Sequence, residues 1–142
     1  MQQIAPRPAT DDELVLSLVV ISADEEFYAR LRRIAGECGW NLERATTIEA
    51  AETMVARKPT PLVVYEGDSD RGNWRFAVRR LNDLPPHPCV LLASSVSDEN
   101  LLREVVRNNG YDILPKAAST EKLIRSLNFA WFWALSWERG RR

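Results

Sequence analysis

The chain has 142 residues, of which 45% are hydrophobic and 27% are charged, and its formal net charge is -1 at pH 7. This length suits a single globular domain, and the composition argues against a disordered or low-complexity chain. A net charge so close to zero provides no overall field that would attract a nucleic acid, so we expect no nucleic-acid partner. Local clusters of arginine fall on predicted helices or at their ends, and we interpret them as solvated helix faces. These clusters are Arg30, Arg32 and Arg33; Arg75, Arg79 and Arg80; and Arg139, Arg141 and Arg142.

The sequence also predicts a cytoplasmic protein without a membrane partner. No apolar run reaches the roughly 20 residues that a membrane-spanning helix needs. Residues 1–12 contain prolines and acids in place of the basic start and apolar core of a secretory signal, and we expect them to form a flexible leader. Cys38 and Cys89 lack CxxC spacing, so we interpret both as buried thiols in a reducing compartment. His87 lies between two prolines, where no neighbouring residue suggests a metal site or a catalytic triad.

The first predicted elements are a buried strand and a helix that follows it directly. Residues 14–21 form a nearly continuous run of apolar and β-branched residues, which is typical of a strand covered on both faces. Ser22 and Glu25 have the spacing of a capping box and predict the start of a helix that ends near Gly39.

The rest of the chain repeats this alternation of strand and helix. A short, polar strand at residues 40–45 suits the edge of a sheet, and further strands are predicted at 62–66, 89–93 and 111–114. The helices between them are predicted to begin at Thr46, after Gly72 and at Ser97, and the last helix runs from Thr120 to about Arg139. In the helix that Ser97 would cap, the residues predicted to face inward are Leu101, Leu102, Val105 and Val106.

Five strands that alternate with five helices through short connections predict a doubly wound α/β domain with a parallel sheet, helices on both faces and right-handed crossovers. Residues 13–139 would form this single domain, and 140–142 a tail. The order of elements and the residues at the strand ends resemble the receiver domain of two-component response regulators, over about residues 14–137. The resemblance implies a flavodoxin-like fold with strand order 2-1-3-4-5 and a role in two-component signal transduction.

The resemblance also implies where the phosphorylation site of a receiver would lie. In an active receiver, a pair of acids after the first strand binds a divalent cation, and an aspartate at the end of the third strand accepts the phosphoryl group. A Ser or Thr lies at the end of the fourth strand, and a lysine lies at the end of the fifth. These groups suit phosphoryl transfer, which depends on positioning and on neutralising negative charge. The matching positions here are Ser22 and Ala23 with Asp24 next to them, then Glu66, Ala93 or Ser94, and Lys116. The aromatic switch position falls on Ile113, and Ala117 stands where the family usually has a proline.

These departures argue against phosphorylation. Mg²⁺ usually takes one or two carboxylates among its oxygen ligands, and here only Asp24 is left as a residual ligand candidate, at a position that also suits the start of a helix. Glu66 resembles, in charge and length, part of a phosphorylated aspartate. We therefore expect a pseudo-receiver that is not an enzyme, has no cofactor and acts through protein–protein interaction. Glu66 and Lys116 would form a constitutive ion pair in it, or else a leftover polar cluster without a regulatory role.

A working receiver is the alternative interpretation. In it, a histidine kinase would phosphorylate Asp68, two residues after Glu66, with Mg²⁺ as the cofactor and with a reshaped loop. A nucleotide or flavin site has less support, because no glycine-rich phosphate loop follows the first strand.

The last helix has more apolar residues than one inward face requires. A full inward face is already formed by residues 123, 124, 127, 131, 134 and 135. The aromatic residues left over are Phe129, Phe132, Trp133 and Trp137. Exposed aromatics in a contiguous patch usually mark an interface, so we predict that this helix binds a protein partner or a second copy of the chain. A monomer in which neighbouring loops or the leader fold over the patch is the other interpretation.

Overall fold

The computed structural model describes residues 15–70 and 72–140, except for the side chains of 137–140. The predicted leader at 1–12, the side chain of Trp137 and residues 141–142 of the predicted tail lie outside this part of the chain. The described strands are β1 (Ser17–Ile21), β2 (Asn41–Ala45), β3 (Leu62–Glu66), β4 (Cys89–Ser94) and β5 (Asp112–Pro115). The described helices are α1 (Glu25–Cys38), α2 (Ile48–Arg57), α3 (Trp74–Asn82), α4 (Glu99–Arg107) and α5 (Thr120–Gly140).

The strands form one parallel sheet in the order β2-β1-β3-β4-β5, which confirms the predicted doubly wound, flavodoxin-like architecture. Successive residues of the central strands point to opposite faces of the sheet. Val64 contributes to the core that contains residues of α1 and α5, whereas Val63 contributes to the core that contains residues of α2, α3 and α4. All residues of β3 and β4 are buried, as expected of strands covered on both faces.

Three helices begin at a different residue from the one predicted. The side chain of Asp24, not Ser22, caps α1 by accepting a hydrogen bond from the amide of Phe27. Thr47, not Thr46, caps α2, and Asp98, not Ser97, caps α4. In each case the capping residue has extended backbone dihedrals, which direct its side-chain oxygen at an amide of the first helical turn.

Some boundaries and burial predictions are also corrected. β1 begins at Ser17, whereas its predicted start at residue 14 lies outside the described part of the chain. The last helix, α5, continues to Gly140, into the predicted tail. On the nine-residue helix α4, Val105 is buried but Leu102 and Val106 are exposed, because so short a helix rests on a narrower face than its sequence suggested. Cys38 is exposed at the end of α1, whereas Cys89 is buried as predicted.

Ion pairs link the helices on one face of the sheet. Arg75 and Arg80 of α3 pair with Glu104 of α4 and Glu52 of α2, so this arginine cluster joins neighbouring helices in addition to facing solvent. Of the helices in the described part of the chain, none has the length and apolar character needed to cross a membrane.

Candidate functional site

The ammonium group of Lys116 lies among three carboxylates at the carboxyl edge of the sheet. Its Nζ is 2.7 Å from Oδ2 of Asp24, 2.9 Å from Oδ2 of Asp68 and 3.0 Å from Oε2 of Glu66. The parallel topology explains why these groups meet, because the residues that end or follow β1, β3 and β5 all lie at this edge. We refer to these four residues as the ion cluster. Its formal charge is negative, since one ammonium faces three carboxylates.

Glu66 is the most deeply buried member of the ion cluster, with a side chain that is 0% exposed. As the last residue of β3, it pairs with Ala93 of β4. Besides its contact with Lys116, its carboxylate accepts hydrogen bonds from the amide of Ser69 at 3.1 Å and from the Ser69 hydroxyl at 2.9 Å. A buried carboxylate is costly unless it is paired and hydrogen-bonded, and Glu66 has both kinds of partner.

Asp68 reaches Lys116 from the loop after β3. The loop passes so close to β4 that a Cβ on Gly67 would lie 2.8 Å from Cδ1 of Leu92. Both carboxylate oxygens of Asp68 accept from the amide of Ser95, at 3.2 and 3.1 Å. Desolvation raises the pKa of Asp68, but the hydrogen bonds from Lys116 and Ser95 outweigh it and hold the pKa below its ordinary value.

Asp24 has two roles, of which the sequence suggested only the one at the start of a helix. Its Oδ1 caps α1 through the amide of Phe27, and its Oδ2 binds Lys116. The hydrogen bond from Lys116, followed by that from Phe27, lowers the pKa of Asp24 against the effect of desolvation. Asp24 is therefore held as a carboxylate by the lysine that it binds.

The surroundings of Lys116 keep the lysine charged. Desolvation lowers its pKa, but the hydrogen bonds to Asp24, Asp68 and Glu66 outweigh this effect and raise the pKa above its ordinary value. The ammonium also lies 5.6 Å from the centre of the Phe27 ring, within the range of a cation–π contact.

The remaining receiver positions have other environments. Ser94 ends β4 beside Lys116: its carbonyl accepts from the Lys116 amide at 3.0 Å, and its hydroxyl accepts from the Val96 amide. Ala93, one residue earlier, pairs with Glu66 and is buried. Ile113, at the switch position, is part of the apolar core.

The two positions of the acidic pair, Ser22 and Ala23, have no carboxylate that could bind a metal ion. Ser22 is buried, its hydroxyl accepts from the amide of Asp24, and its carbonyl accepts from the guanidinium of Arg44 at 2.9 Å. Ala23 is exposed. Within residues 15–70 and 72–140, no group of three or more His, Cys, Asp and Glu side chains is arranged to hold a metal ion. In the ion cluster, the ammonium of Lys116 occupies the space between the carboxylates.

Arg30 of α1 is a site residue that the sequence analysis missed. Its Nη1 donates a hydrogen bond of 2.6 Å to the carbonyl of Lys116, and its Nη2 donates to the carbonyl of Ala118. The guanidinium therefore holds the loop that joins β5 to α5. The sequence predicts only a solvated helix face for Arg30, because nothing near it in the sequence marks a contact with main-chain carbonyls this distant along the chain.

The last helix exposes the aromatic residues that were predicted to lie away from the core. Phe129 is 67% exposed and Phe132 is 62% exposed, while Trp133 is about half exposed and its ring centre lies 5.3 Å from that of Tyr111. Trp133 and Tyr111 also line a cavity of about 520 Å³ that includes Val106 of α4. Among the described side chains of the helix, Leu123, Leu127, Ala130 and Ala134 are buried, whereas Ile124, Trp131 and Leu135 of the predicted inward face are only partly buried.

No protein-family model matches this chain, and neither does any curated protein. Solved structures do match it. A response regulator from Thermotoga maritima is 17% identical, with a TM-score of 0.73 over 82% of this chain and 97% of that one. The beryllofluoride-activated NtrC4 receiver domain dimer is 18% identical, with a TM-score of 0.74 over 84% and 99% of the two chains. An orphan response regulator of H. pylori is 14% identical, with a TM-score of 0.68 over 81% and 95%. At these identities the likeness establishes the fold, which is that of response-regulator receiver domains.

Proposed function

We propose that this protein is a receiver-type module of two-component signal transduction that works without phosphorylation. The observation that carries the proposal is the ion cluster, in which Lys116 already binds three carboxylates, one of them the fully buried Glu66. In this proposal the module is not an enzyme and has no cofactor, and its output is a protein–protein interaction. Its location is the cytoplasm, whose reducing conditions suit the free thiols of Cys38 and Cys89.

The chemistry of the ion cluster supports this proposal. Phosphorylation of a receiver would bring a phosphoryl group to the strand-five lysine, and the carboxylates here provide that lysine with permanent anionic partners. The glutamate side chain is one methylene longer than that of aspartate, and its Oε2 lies within hydrogen-bond distance of Lys116. Glu66 therefore takes the place of the phosphoryl oxygen, and Ser69 holds its orientation.

The test is incubation of the protein with acetyl phosphate and Mg²⁺, followed by intact-mass spectrometry. An active receiver treated in the same way serves as the positive control. We expect no phosphoryl adduct on this chain, because Asp24, the remaining candidate for a metal ligand, is engaged with Lys116 and Phe27. A stable adduct on any carboxylate would overturn the proposal.

Phosphorylation of Asp68 is the second candidate function, and one observation favours it. The side chain of Asp68 is 31% exposed and lies 2.9 Å from Lys116, so it is more accessible than Glu66 and is held by the same lysine. In this case the adduct would require Mg²⁺, would disappear in Asp68→Asn and would persist in Glu66→Gln. An adduct that disappears only in Glu66→Gln would exclude Asp68 as the acceptor.

The partner that we propose is a second copy of this chain, bound through α5. The exposed rings of Phe129 and Phe132 provide an apolar surface of the kind found in interfaces. The NtrC4 receiver domain, which has the same fold, forms a dimer in its beryllofluoride-activated state.

The oligomeric state tests this part of the proposal. Sedimentation velocity over a range of concentrations should show a dimer that dissociates when Phe129 and Phe132 are both replaced by glutamate. Phe76→Glu is the matched control, because Phe76 of α3 is 65% exposed but lies on another helix. A wild-type protein that stays monomeric at all concentrations would exclude the homodimer and leave a different protein as the partner.

A further inference from the structure

Arg30 joins helix α1 to the loop between β5 and α5 through two hydrogen bonds. The acceptors are the main-chain carbonyls of Lys116 and Ala118, which lie 86 and 88 residues further along the chain. A guanidinium presents its donors in a rigid, planar fork, so that two carbonyls held by one fork are fixed relative to each other. The two bonds therefore define the path of the backbone on both sides of Ala117.

The same helix also holds the other end of Lys116. Asp24, at the start of α1, accepts a hydrogen bond from the ammonium group, while Arg30 binds the carbonyl of the same lysine. A lysine side chain has a flexible stem of four carbons and loses much conformational freedom when it is held in one place. Its ammonium can meet three carboxylates at once only if the backbone that carries it is fixed, and Arg30 supplies this constraint.

The loop that Arg30 holds leads directly into the helix with the exposed aromatics. Ala118 donates to the carbonyl of Pro115, and Ser119 accepts from the amide of Leu123 in the first turns of α5. A change in the position of this loop would therefore move both the lysine of the ion cluster and the start of α5.

We propose that Arg30 is a positioning residue: it fixes the loop between β5 and α5 so that Lys116 reaches Asp24, Glu66 and Asp68. It thereby couples the ion cluster to the start of α5. The consequence of this coupling for signalling rests on the function proposed above, whereas the placement of Lys116 does not. The hydrogen bonds of Arg30 go to main-chain carbonyls, so its influence on the Lys116 ammonium passes through the backbone of the loop.

The first test is a double-mutant cycle with Arg30→Met, Lys116→Met and the double variant, in which unfolding by urea gives the folding equilibrium constant. If Arg30 positions Lys116, then the factor by which Lys116→Met lowers this constant will be about tenfold smaller in the Arg30→Met background than in the wild type. A coupling of this size is typical of residues in one network. Additive effects would overturn the proposal.

The second test observes the ammonium itself by NMR of ¹⁵N-labelled lysine. We expect a hydrogen-bonded, slowly exchanging Lys116 ammonium signal in the wild type, assigned by its absence from Lys116→Met. The signal should disappear in Arg30→Met and persist in Arg32→Met, which removes an exposed arginine of the same helix. A merely structural Arg30 would lower stability and leave this signal in place. If Arg30→Met does not fold, the same measurements on Arg30→Lys test the proposal, because lysine keeps the positive charge but lacks the planar guanidinium that holds two carbonyls.

These experiments separate the inference from the proposed function. Both readouts are made without a phosphodonor or a partner, so a persistent ammonium signal in the Arg30 variants overturns the positioning role alone. A phosphoryl adduct on the wild type would overturn the proposed function and leave the positioning role intact.

Discussion

Lys116 balances a carboxylate that has no contact with solvent, since the side chain of Glu66 is 0% exposed. In Lys116→Met this carboxylate would keep its hydrogen bonds from Ser69 but lose its cation. Removing one partner of a buried ion pair costs about 3–5 kcal/mol, because the other charge stays buried. We expect Lys116→Met to lower the free energy of unfolding by about this amount at pH 7, as measured by urea denaturation with tryptophan fluorescence.

Two further variants test this explanation. Lys122→Met replaces an exposed lysine of α5 and should change the free energy of unfolding by less than about 0.5 kcal/mol. Glu66→Gln, added to Lys116→Met, removes the buried charge and should restore part of the lost stability. A double variant as unstable as Lys116→Met would show that the cost comes from lost packing of the lysine side chain and not from the buried charge.

Asp68 should make the stability of the protein depend on pH in the acidic range. Desolvation raises its pKa, but Lys116 and the Ser95 amide outweigh this and hold the pKa below the ordinary value of 3.8. Because the pKa is lower in the folded than in the unfolded chain, the charged carboxylate stabilises the fold above pH 3.8. This contribution disappears as the pH falls through the lowered pKa. At high pH, the stabilisation by Asp68 lasts as long as Lys116 stays protonated, and the pKa of Lys116 is raised in the folded state above its ordinary 10.5.

We therefore expect the free energies of unfolding of wild type and Asp68→Asn to differ by a constant amount between about pH 5 and 9. The difference should shrink below about pH 4. Urea denaturation at stepped pH values measures it. Asp83→Asn, which changes an exposed carboxylate outside the ion cluster, is the control. A wild-type advantage that stays constant down to about pH 2 would contradict the expected linkage.

The turn between α4 and β5 depends on the close approach that a glycine allows. A Cβ on Gly110 would lie 2.6 Å from Cγ1 of Val105 and 3.1 Å from Cγ1 of Val78, and both valines are buried in the same core. Inserting a methyl group into a packed core typically costs about 1–3 kcal/mol, and we expect this loss of stability in Gly110→Ala. Gly36 of α1 is the matched control, because nothing lies within 4 Å of its Cβ position. There, alanine should stabilise the helix by about 0.5–1 kcal/mol. A Gly110→Ala variant as stable as the wild type would show that the turn has room to relax.

The strands were easier to predict than the helix starts. The run that forms β3 is buried on both faces, so its limits are visible as a change in hydrophobicity at Thr60 and Glu66. The helix starts at residues 22–24, 46–47 and 97–98 each offer more than one side-chain oxygen. The backbone dihedrals decide which of them reaches the free amides, and these depend on the strand that precedes the helix.

The part of the candidate site that lies at the strand ends could be predicted, and the part that depends on loops and main-chain contacts could not. The contact between Glu66 and Lys116 follows from the topology, because both residues lie at the carboxyl ends of strands of one sheet. The contact of Asp68 with Lys116 depends on the shape of the loop after β3, which Ser69 and Ser95 set through hydrogen bonds. The role of Arg30 rests on main-chain acceptors, which carry no side-chain identity and so leave no pattern in the sequence.

At the scale of the whole molecule, one sheet supports two helical layers. Val63 and Val64 are neighbours in β3, yet they belong to cores on opposite faces of the sheet. Packing lost on either face therefore weakens the same strands, and we expect both helical layers to unfold together with the sheet as one cooperative unit.

Two buried leucines of equal exposure test this cooperativity. Leu81 of α3 and Leu123 of α5 are both 0% exposed and lie on opposite faces of the sheet. Replacing either by alanine should lower the free energy of unfolding by about 2–5 kcal/mol, because each leaves a cavity in a packed core. Leu102→Ala changes an exposed leucine of α4 and should cost less than about 1 kcal/mol. In every variant, urea transitions followed by tryptophan fluorescence and by far-UV circular dichroism should coincide. Since both helical layers share the strands, a variant whose two transitions separate would show that one layer can unfold while the other stays on the sheet.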